Sequence, residues 1–231
     1  MKLQKKIVTN KNLSKLNSLQ ISLKAKYYLE CKTDSDLEFA FHFIKKNKVK
    51  FLVLGEGTNV VFTKPFEGLI IKNIFKKEKK IYENKVKISS GYNWDRFVSF
   101  CIKNSLYGLE NLSGIPGTVG AGPIQNIGAY GEEIANYIEH IEVFNFKTGN
   151  VEILNNKNCN FDYRNSFFKK NKHLFIKNIF FRLKKNFIAN NSYQDLQVYE
   201  FKKASDLRKS ILKIRNRKLE NYLTKPNVGS F

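Results

Sequence analysis

The chain has only three cysteines, at positions 31, 101 and 159. Their spacing suits neither a disulfide framework nor a zinc knuckle. Histidine is as scarce. His42, His140 and His173 lie far apart, which argues against a histidine-built metal site. No run of about 18 apolar residues occurs, so no ordinary transmembrane helix is expected. The N-terminus, MKLQKKIVTN, carries charge but no apolar core, so it does not read as a signal peptide. The expectation is a cytoplasmic protein in a reducing setting, with no membrane partner. Acidic residues are also few: 20 Asp and Glu against 41 Lys and Arg, a net charge of +21. Such a balance first suggests a nucleic-acid binder. However, the lysines are scattered and no arginine-rich arm appears. The excess accompanies abundant Asn, Ile and Phe, as an AT-rich coding bias would produce. Nucleic acid is therefore not the expected partner, although a positive field still favours anionic ligands.

One absence is local. From Asn104 to Phe146 there is no Lys or Arg, in a chain where 41 of 231 residues are basic. The same stretch holds seven of the 13 glycines, at 108, 114, 117, 120, 122, 128 and 131, and two of the four prolines. Coding bias would not leave such a gap. The segment needs close backbone approach and unusual dihedrals, and has no room for long charged side chains. A ligand cradle built from backbone amides fits this better than a ligand-free turn-rich core.

What is present supports a sizeable core. Apolar residues make up 42% of the 231 and aromatic residues 14%, so chain entropy can be offset by burial. Residues 33–47 read as a helix capped by Thr33 or Asp34, with Leu37, Phe41 and Ile44 on one face. His42 beside that face reads as a surface or boundary residue. Residues 51–54 (FLVL) read as a short buried strand. Gly55-Glu56-Gly57-Thr58-Asn59 follows, and then a second apolar run, 60–62, is expected to return as a strand. That pattern is not dinucleotide-fold-like, because there a helix follows the glycine loop. Strands are expected at 69–72, 86–89, 138–146 and 174–183. A helix over 93–104 starts at Asn93 and puts Trp94, Phe97, Val98 and Cys101 in the core. A basic helix over 200–219 turns Phe201, Ala204, Leu207, Ile211 and Ile214 inward. The order of elements implies an α+β fold.

The stretch from Gly108 to Gly131, GLENLSGIPGTVGAGPIQNIGAYG, resembles the flavin-binding signature of the UDP-N-acetylenolpyruvoylglucosamine reductase (MurB) family. Further blocks match in the same order: Leu54 to Val60, Tyr163 to Ser166, Tyr193 to Leu196, Arg215 with Lys218, and Asn227 to Phe231. Together they span the chain from about Asn12 onward. The resemblance implies a PCMH-type FAD-binding module of two subdomains followed by a substrate-binding domain. The expected division is an N-terminal extension over 1–16, a FAD-binding domain over 17–185 (subdomains about 17–72 and 73–185), and the start of a substrate domain over 186–231. The Tyr193 insertion marks one of the two family subtypes.

The resemblance also assigns roles. Gly55, Glu56, Gly57, Thr58 and Asn59 would wrap the FAD diphosphate. Ile115, Pro116, Gly117, Gly120, Ala121, Gly122, Gln125, Asn126, Gly128, Ala129, Tyr130 and Gly131 would line the rest of a non-covalently bound FAD. NADPH would be the reductant and a UDP-sugar enolpyruvyl ether the substrate, processed by a monomer. Arg164 would hold the enolpyruvyl carboxylate and Ser230 would donate the proton. Tyr163, Tyr193, Arg215 and Lys218 would contact substrate. No metal is implied. Family members continue beyond the block ending at Phe231, and the continuation supplies a catalytic glutamate. No residue here can be assigned to it, so the expectation is a truncated substrate domain and weak or absent turnover by 1–231 alone. Two alternatives stand beside this. One is a non-catalytic FAD-binding remnant. The other is a basic nucleic-acid-binding protein, which would show steep salt dependence and no flavin.

Overall fold

The computed structural model describes residues 7–229. The described residues build two large sheets and a two-stranded hairpin. The first contains β1 (Val8–Asn12), β2 (Lys24–Cys31), β3 (Phe51–Leu54) and β4 (Phe66–Asn73) in the order β1-β2-β4-β3. β2, β4 and β3 are parallel and β1 is antiparallel to β2. Part of the expected N-terminal extension is thus a strand of this sheet. The helix α1 (Asp34–Asn47) follows β2. Its Thr33 hydroxyl accepts from the Asp36 N–H at 3.3 Å while the Asp36 carboxylate accepts from the Thr33 N–H at 2.9 Å. This reciprocal cap satisfies two donors that the helix start would otherwise leave open.

The expected strand at 60–62 is not one. β4 begins only at Phe66, and residues 60–62 cross irregularly from one parallel strand to the next. A return strand directly after the glycine loop would pair antiparallel, whereas β3 and β4 run parallel, so the chain must first travel back along the sheet. Phe62 is buried on the way, beside Leu54, Ile70 and Leu13, and Val61 points to solvent.

The second sheet is antiparallel, in the order β10-β9-β11-β6-β5. Its strands are β5 (Lys79–Tyr82), β6 (Lys85–Ser89), β9 (Ile138–Asn145), β10 (Val151–Asn155) and β11 (Leu174–Arg182). Between β6 and β9 lie α2 (Trp94–Lys103) and the glycine-rich stretch. That stretch includes a small hairpin of β7 (Gly128–Ala129) and β8 (Glu132–Glu133). Asn93 caps α2 by accepting from the Arg96 N–H at 3.0 Å. Trp94, Phe97, Val98 and Cys101 are all buried against the second sheet. Each such apolar side chain contributes about 1.5–3 kcal/mol on burial.

The two sheets share a core. Phe144, Phe146 and Phe175 of the second sheet's side pack with Leu29, Leu37, Ala40, Leu69 and Ile71 of the first. Lys177 reinforces the junction. Its ammonium lies 2.8 Å from Asp34 at the start of α1 and 3.1 Å from Glu142 on β9. After β11 the chain passes over the hairpin and forms α4 (Ala204–Lys218), four residues shorter at its start than expected. Leu196, Leu207 and Ile211 are buried there, with Tyr130, Phe187 and Phe201 packed around them.

Candidate flavin and substrate site

The turn 55–59 leaves the end of β3 and faces the segment 114–118. Glu56 ties the two together: its carboxylate accepts from Asn93 Nδ2 at 2.9 Å and from the Gly117 N–H at 3.1 Å. The Thr58 hydroxyl lies 3.4 Å from the Pro116 carbonyl, and Asn59 Nδ2 donates to Gln125 Oε1 at 2.8 Å. The loop presses on the N-terminal turn at 14–20. Gly57 has φ +73°, and any Cβ there would collide with the Leu16 carbonyl. Its own carbonyl accepts from the Ser18 N–H at 3.0 Å.

This cradle is open to an anion. Among the described residues, the N–H groups of Glu56, Gly57, Thr58 and Asn59 have no intrachain acceptor. Two hydroxyls beside the loop, Ser18 Oγ and Thr118 Oγ1, are buried without a partner. Thr118 Oγ1 is only 2.8 Å from where a Cβ on Gly55 would stand. Successive free N–H groups with flanking hydroxyls are the donor set a diphosphate requires. The residues present therefore fit the diphosphate of a dinucleotide cofactor.

The glycine-rich stretch extends the cradle. Gly120 lies flat on Ser90, donating its N–H to the Ser90 carbonyl at 2.9 Å. Ala121 is exposed at the surface of this segment, while Gly122 is buried over Ile127 and Ile134. Ile115 packs half-buried on the main core. Asn126 is buried, and its side chain is committed to the protein. Its Nδ2 donates to Glu133 and to the Asp162 carbonyl, and its Oδ1 accepts from the Ala135 N–H. It therefore shapes the wall from behind. In the hairpin, Tyr130 at φ +51° and Gly131 at φ +81° form the tight two-residue turn between β7 and β8.

Two groups of side chains converge on that hairpin. On one edge Arg164 Nη2 donates to the Gly128 carbonyl at 2.7 Å, with its guanidinium 5.0 Å above the exposed Tyr163 ring. On the other edge Tyr193 meets the Tyr130 ring edge-on at 5.2 Å. Lys218 pairs with Asp195 and lies 5.8 Å over the Tyr193 ring. Arg215 on α4 is half-buried against Gly114, with Cδ 3.1 Å from that glycine's Cβ position. Burial pushes its pKa down, while Tyr130, as hydrogen-bond partner, and Asp95 hold its charge. Ser230 lies outside the described residues.

So the stretch without Lys or Arg acquires its cations from elsewhere in the chain: Arg164 from the loop before α3 (Phe167–Lys170) and Arg215 and Lys218 from α4, while Lys72 of β4 joins the 55–59 loop. Three residues at this site carried no signal in the sequence. Asp95, in the first turn of α2, accepts two hydrogen bonds from Arg208 and one from the Gly114 N–H at 2.6 Å. Lys72 donates to the Gly55 carbonyl at 2.5 Å. Asn111 Nδ2 reaches the carbonyls of Tyr130 and Asn190 at 2.8 Å each, joining the hairpin to the segment before Tyr193. An isolated Asp in a first helical turn reads as a helix-dipole residue, and a Lys among 41 basic residues reads as surface.

Comparison with known proteins agrees with this geometry. A family described as "FAD binding domain" matches residues 25–155, more than half of the chain. The UDP-N-acetylenolpyruvoylglucosamine reductase of Buchnera aphidicola subsp. Baizongia pistaciae is 36% identical over 228 residues, covering 95% of this chain and 68% of that relative. The reductase of the same name from Bdellovibrio bacteriovorus is 34% identical, covering 97% and 70%. Among solved structures, the MurB reductase of Thermus caldophilus superposes with a TM-score of 0.67 at 21% identity, covering 92% of this chain and 68% of that one. A 6-hydroxy-D-nicotine oxidase from Arthrobacter nicotinovorans reaches 0.59 at 12% identity, over 77% and 41%. At those identities the two structures speak for the PCMH-type fold alone.

Proposed function

This chain belongs to the UDP-N-acetylenolpyruvoylglucosamine reductase family of FAD-dependent oxidoreductases, and on that premise we propose that it reduces the enolpyruvyl ether of UDP-N-acetylglucosamine in cytoplasmic peptidoglycan precursor synthesis. The observation that carries this reading is the convergence on the 128–133 hairpin. Arg164 stands on one edge, and Tyr193, Arg215 and Lys218 cluster on the other; a guanidinium suits a carboxylate, and a Tyr-Arg-Lys cluster suits a sugar diphosphate. When bound, FAD supplies the hydride, taken from NADPH.

The protein's part is to bind, orient and neutralise. The 55–59 loop holds the cofactor by backbone N–H groups and the 115–122 segment by close packing, which leaves the flavin face uncrowded by long side chains. Arg164 takes the enolpyruvyl carboxylate in a two-pronged guanidinium grip. It thereby stabilises negative charge that builds on the neighbouring carbon as hydride arrives. Its hydrogen bond to Gly128 and its seat over Tyr163 hold the guanidinium in place beforehand. Tyr193, Arg215 and Lys218 face the substrate diphosphate. Ser230 gives the proton that completes the reduction; a hydroxyl suffices because the carbanion is a strong base.

The test is an anaerobic spectral titration of the FAD-loaded chain. NADPH should bleach the visible flavin band, and the enolpyruvyl substrate should restore it. In Arg164→Met the bleaching should persist, and the recovery should slow about 10²–10³-fold, the usual cost of removing one preorganised charge-stabilising donor. Recovery at the wild-type rate would remove Arg164 from the reaction. Bleaching without recovery in the wild-type chain would overturn the proposed turnover in favour of a non-catalytic FAD-binding remnant.

A further inference from the structure

Beside the 55–59 loop lies a cavity of about 600 Å³, bounded by the N-terminal turn, the ends of β3 and β4, and Tyr222. Lys72 lines it. Strand alternation places Lys72 on the same face of the first sheet as Ile70, which packs with Leu54 and Leu13, so the ammonium is carried at the end of a rigid buried row. The ammonium is half-buried and makes one hydrogen bond, to the Gly55 carbonyl. Among the described residues it has no carboxylate within ion-pair distance. Glu56 and Glu30 are its nearest acidic neighbours, and the Glu56 carboxylate is already shared between Asn93 and Gly117. Ser18, whose buried hydroxyl has no partner among the described residues, lines the same cavity.

A half-buried cation without a counterion is costly unless an anion completes it. Here two of its three N–H donors are unused, next to four free backbone N–H groups and a free hydroxyl. We propose that Lys72 binds the diphosphate of the FAD cofactor, supplying to the 55–59 loop the positive charge that the glycine-rich stretch lacks. This rests on the reading of that loop as the diphosphate cradle. Lys72 is a binding residue in this role and takes no part in hydride or proton transfer. The hydrogen bond to Gly55 fixes the ammonium at the root of the loop, so an arriving phosphate oxygen meets it together with the loop N–H groups.

The experiment measures flavin fluorescence on titrating FAD, and separately riboflavin, which has no phosphate, into the flavin-free chain of residues 1–231. Lys72→Met should weaken FAD about tenfold and leave riboflavin unchanged, while Lys72→Arg should bind FAD within a few-fold of wild type. Wild-type FAD affinity should also fall as KCl rises from 50 to 500 mM more steeply than that of Lys72→Met. On the wild type alone, FAD affinity should fall more steeply with KCl than riboflavin affinity, a comparison that needs no variant to fold. Equal FAD affinity in wild type and Lys72→Met, or equal loss of FAD and riboflavin, would overturn the assignment. Failure of the wild type to bind FAD at all would overturn the cradle reading with it.

Discussion

Removing the Asp95 carboxylate should loosen the whole substrate-facing side of the site. Asp95 accepts from Arg208 Nη1 at 2.6 Å, from Arg208 Nη2 at 2.8 Å and from the Gly114 N–H at 2.6 Å. One carboxylate thus joins the first turn of α2, the glycine-rich stretch and α4, which carries Arg215 and Lys218. The side chains are 32% and 16% exposed, so the pair is largely but not wholly withdrawn from water. Breaking a buried pair costs about 3–5 kcal/mol, and partial exposure reduces this to about 2–3 kcal/mol for Asp95→Ala. Asp95→Asn keeps the shape and loses only the charge, at about 1–1.5 kcal/mol. For a chain of this length each kcal/mol moves Tm by about 2–4 °C, so the alanine variant should melt about 4–12 °C lower.

Thermal unfolding followed by circular dichroism at pH 7 measures the shift, and a cycle with Arg208→Ala measures the coupling. The coupling should be about 1.5–3 kcal/mol. Acid provides an internal control. Burial alone would raise the Asp95 pKa, but the hydrogen bonds from Arg208 and Gly114 outweigh it and hold the carboxyl below the usual range. A depressed carboxyl stabilises the fold fully above its unfolded pKa of about 4, and that contribution is lost as pH falls through the folded value. The gap between wild type and Asp95→Asn should therefore close on acidification below about pH 4. Melting of Asp95→Ala within 1 °C of wild type, or a coupling near zero, would refute the clamp.

Two other outcomes follow from the packing. Gly57→Ala should displace the 55–59 loop, since its Cβ would strike the Leu16 backbone at a left-handed φ of +73°. FAD affinity measured by fluorescence should drop at least tenfold, and unchanged affinity would show that the loop does not hold the cofactor. All three cysteines are buried, with the thiols of Cys101 and Cys159 pushed up by desolvation, that of Cys159 to about 12. The native chain should therefore resist a thiol-titrating disulfide reagent that counts three thiols after denaturation. Rapid reaction of any thiol in the native chain would contradict the core placement.

Periodicity and capping were legible where the signal is local. Thr33 and Asn93 mark the starts of α1 and α2, and FLVL is β3 to the residue. The helix cap is a contact within four residues, and a buried parallel strand is a short unbroken apolar run, so both are written in neighbouring positions. The strands β1, β2, β5 and β10 carried no comparable mark. β5 and β10 are edge strands with largely exposed residues, and β2 mixes lysine with apolar residues. Their pairing comes from partners distant in the chain. The run at 60–62 failed as a strand for the converse reason, because apolar composition cannot show that its neighbours pair in parallel.

The sequence by itself determined the backbone half of the site. Glycines at turns and close approaches, and the gap in Lys and Arg, follow from steric rules that each residue obeys locally. Ordered motif matches then gave the family. Only the tertiary structure decided where the charge comes from. Arg164 reaches Gly128 across 36 positions, Arg208 reaches Asp95 across 113, and Lys72 enters from a neighbouring strand. Electrostatic pairing depends on distance in space and on burial, and neither is recorded in the order of residues along a chain.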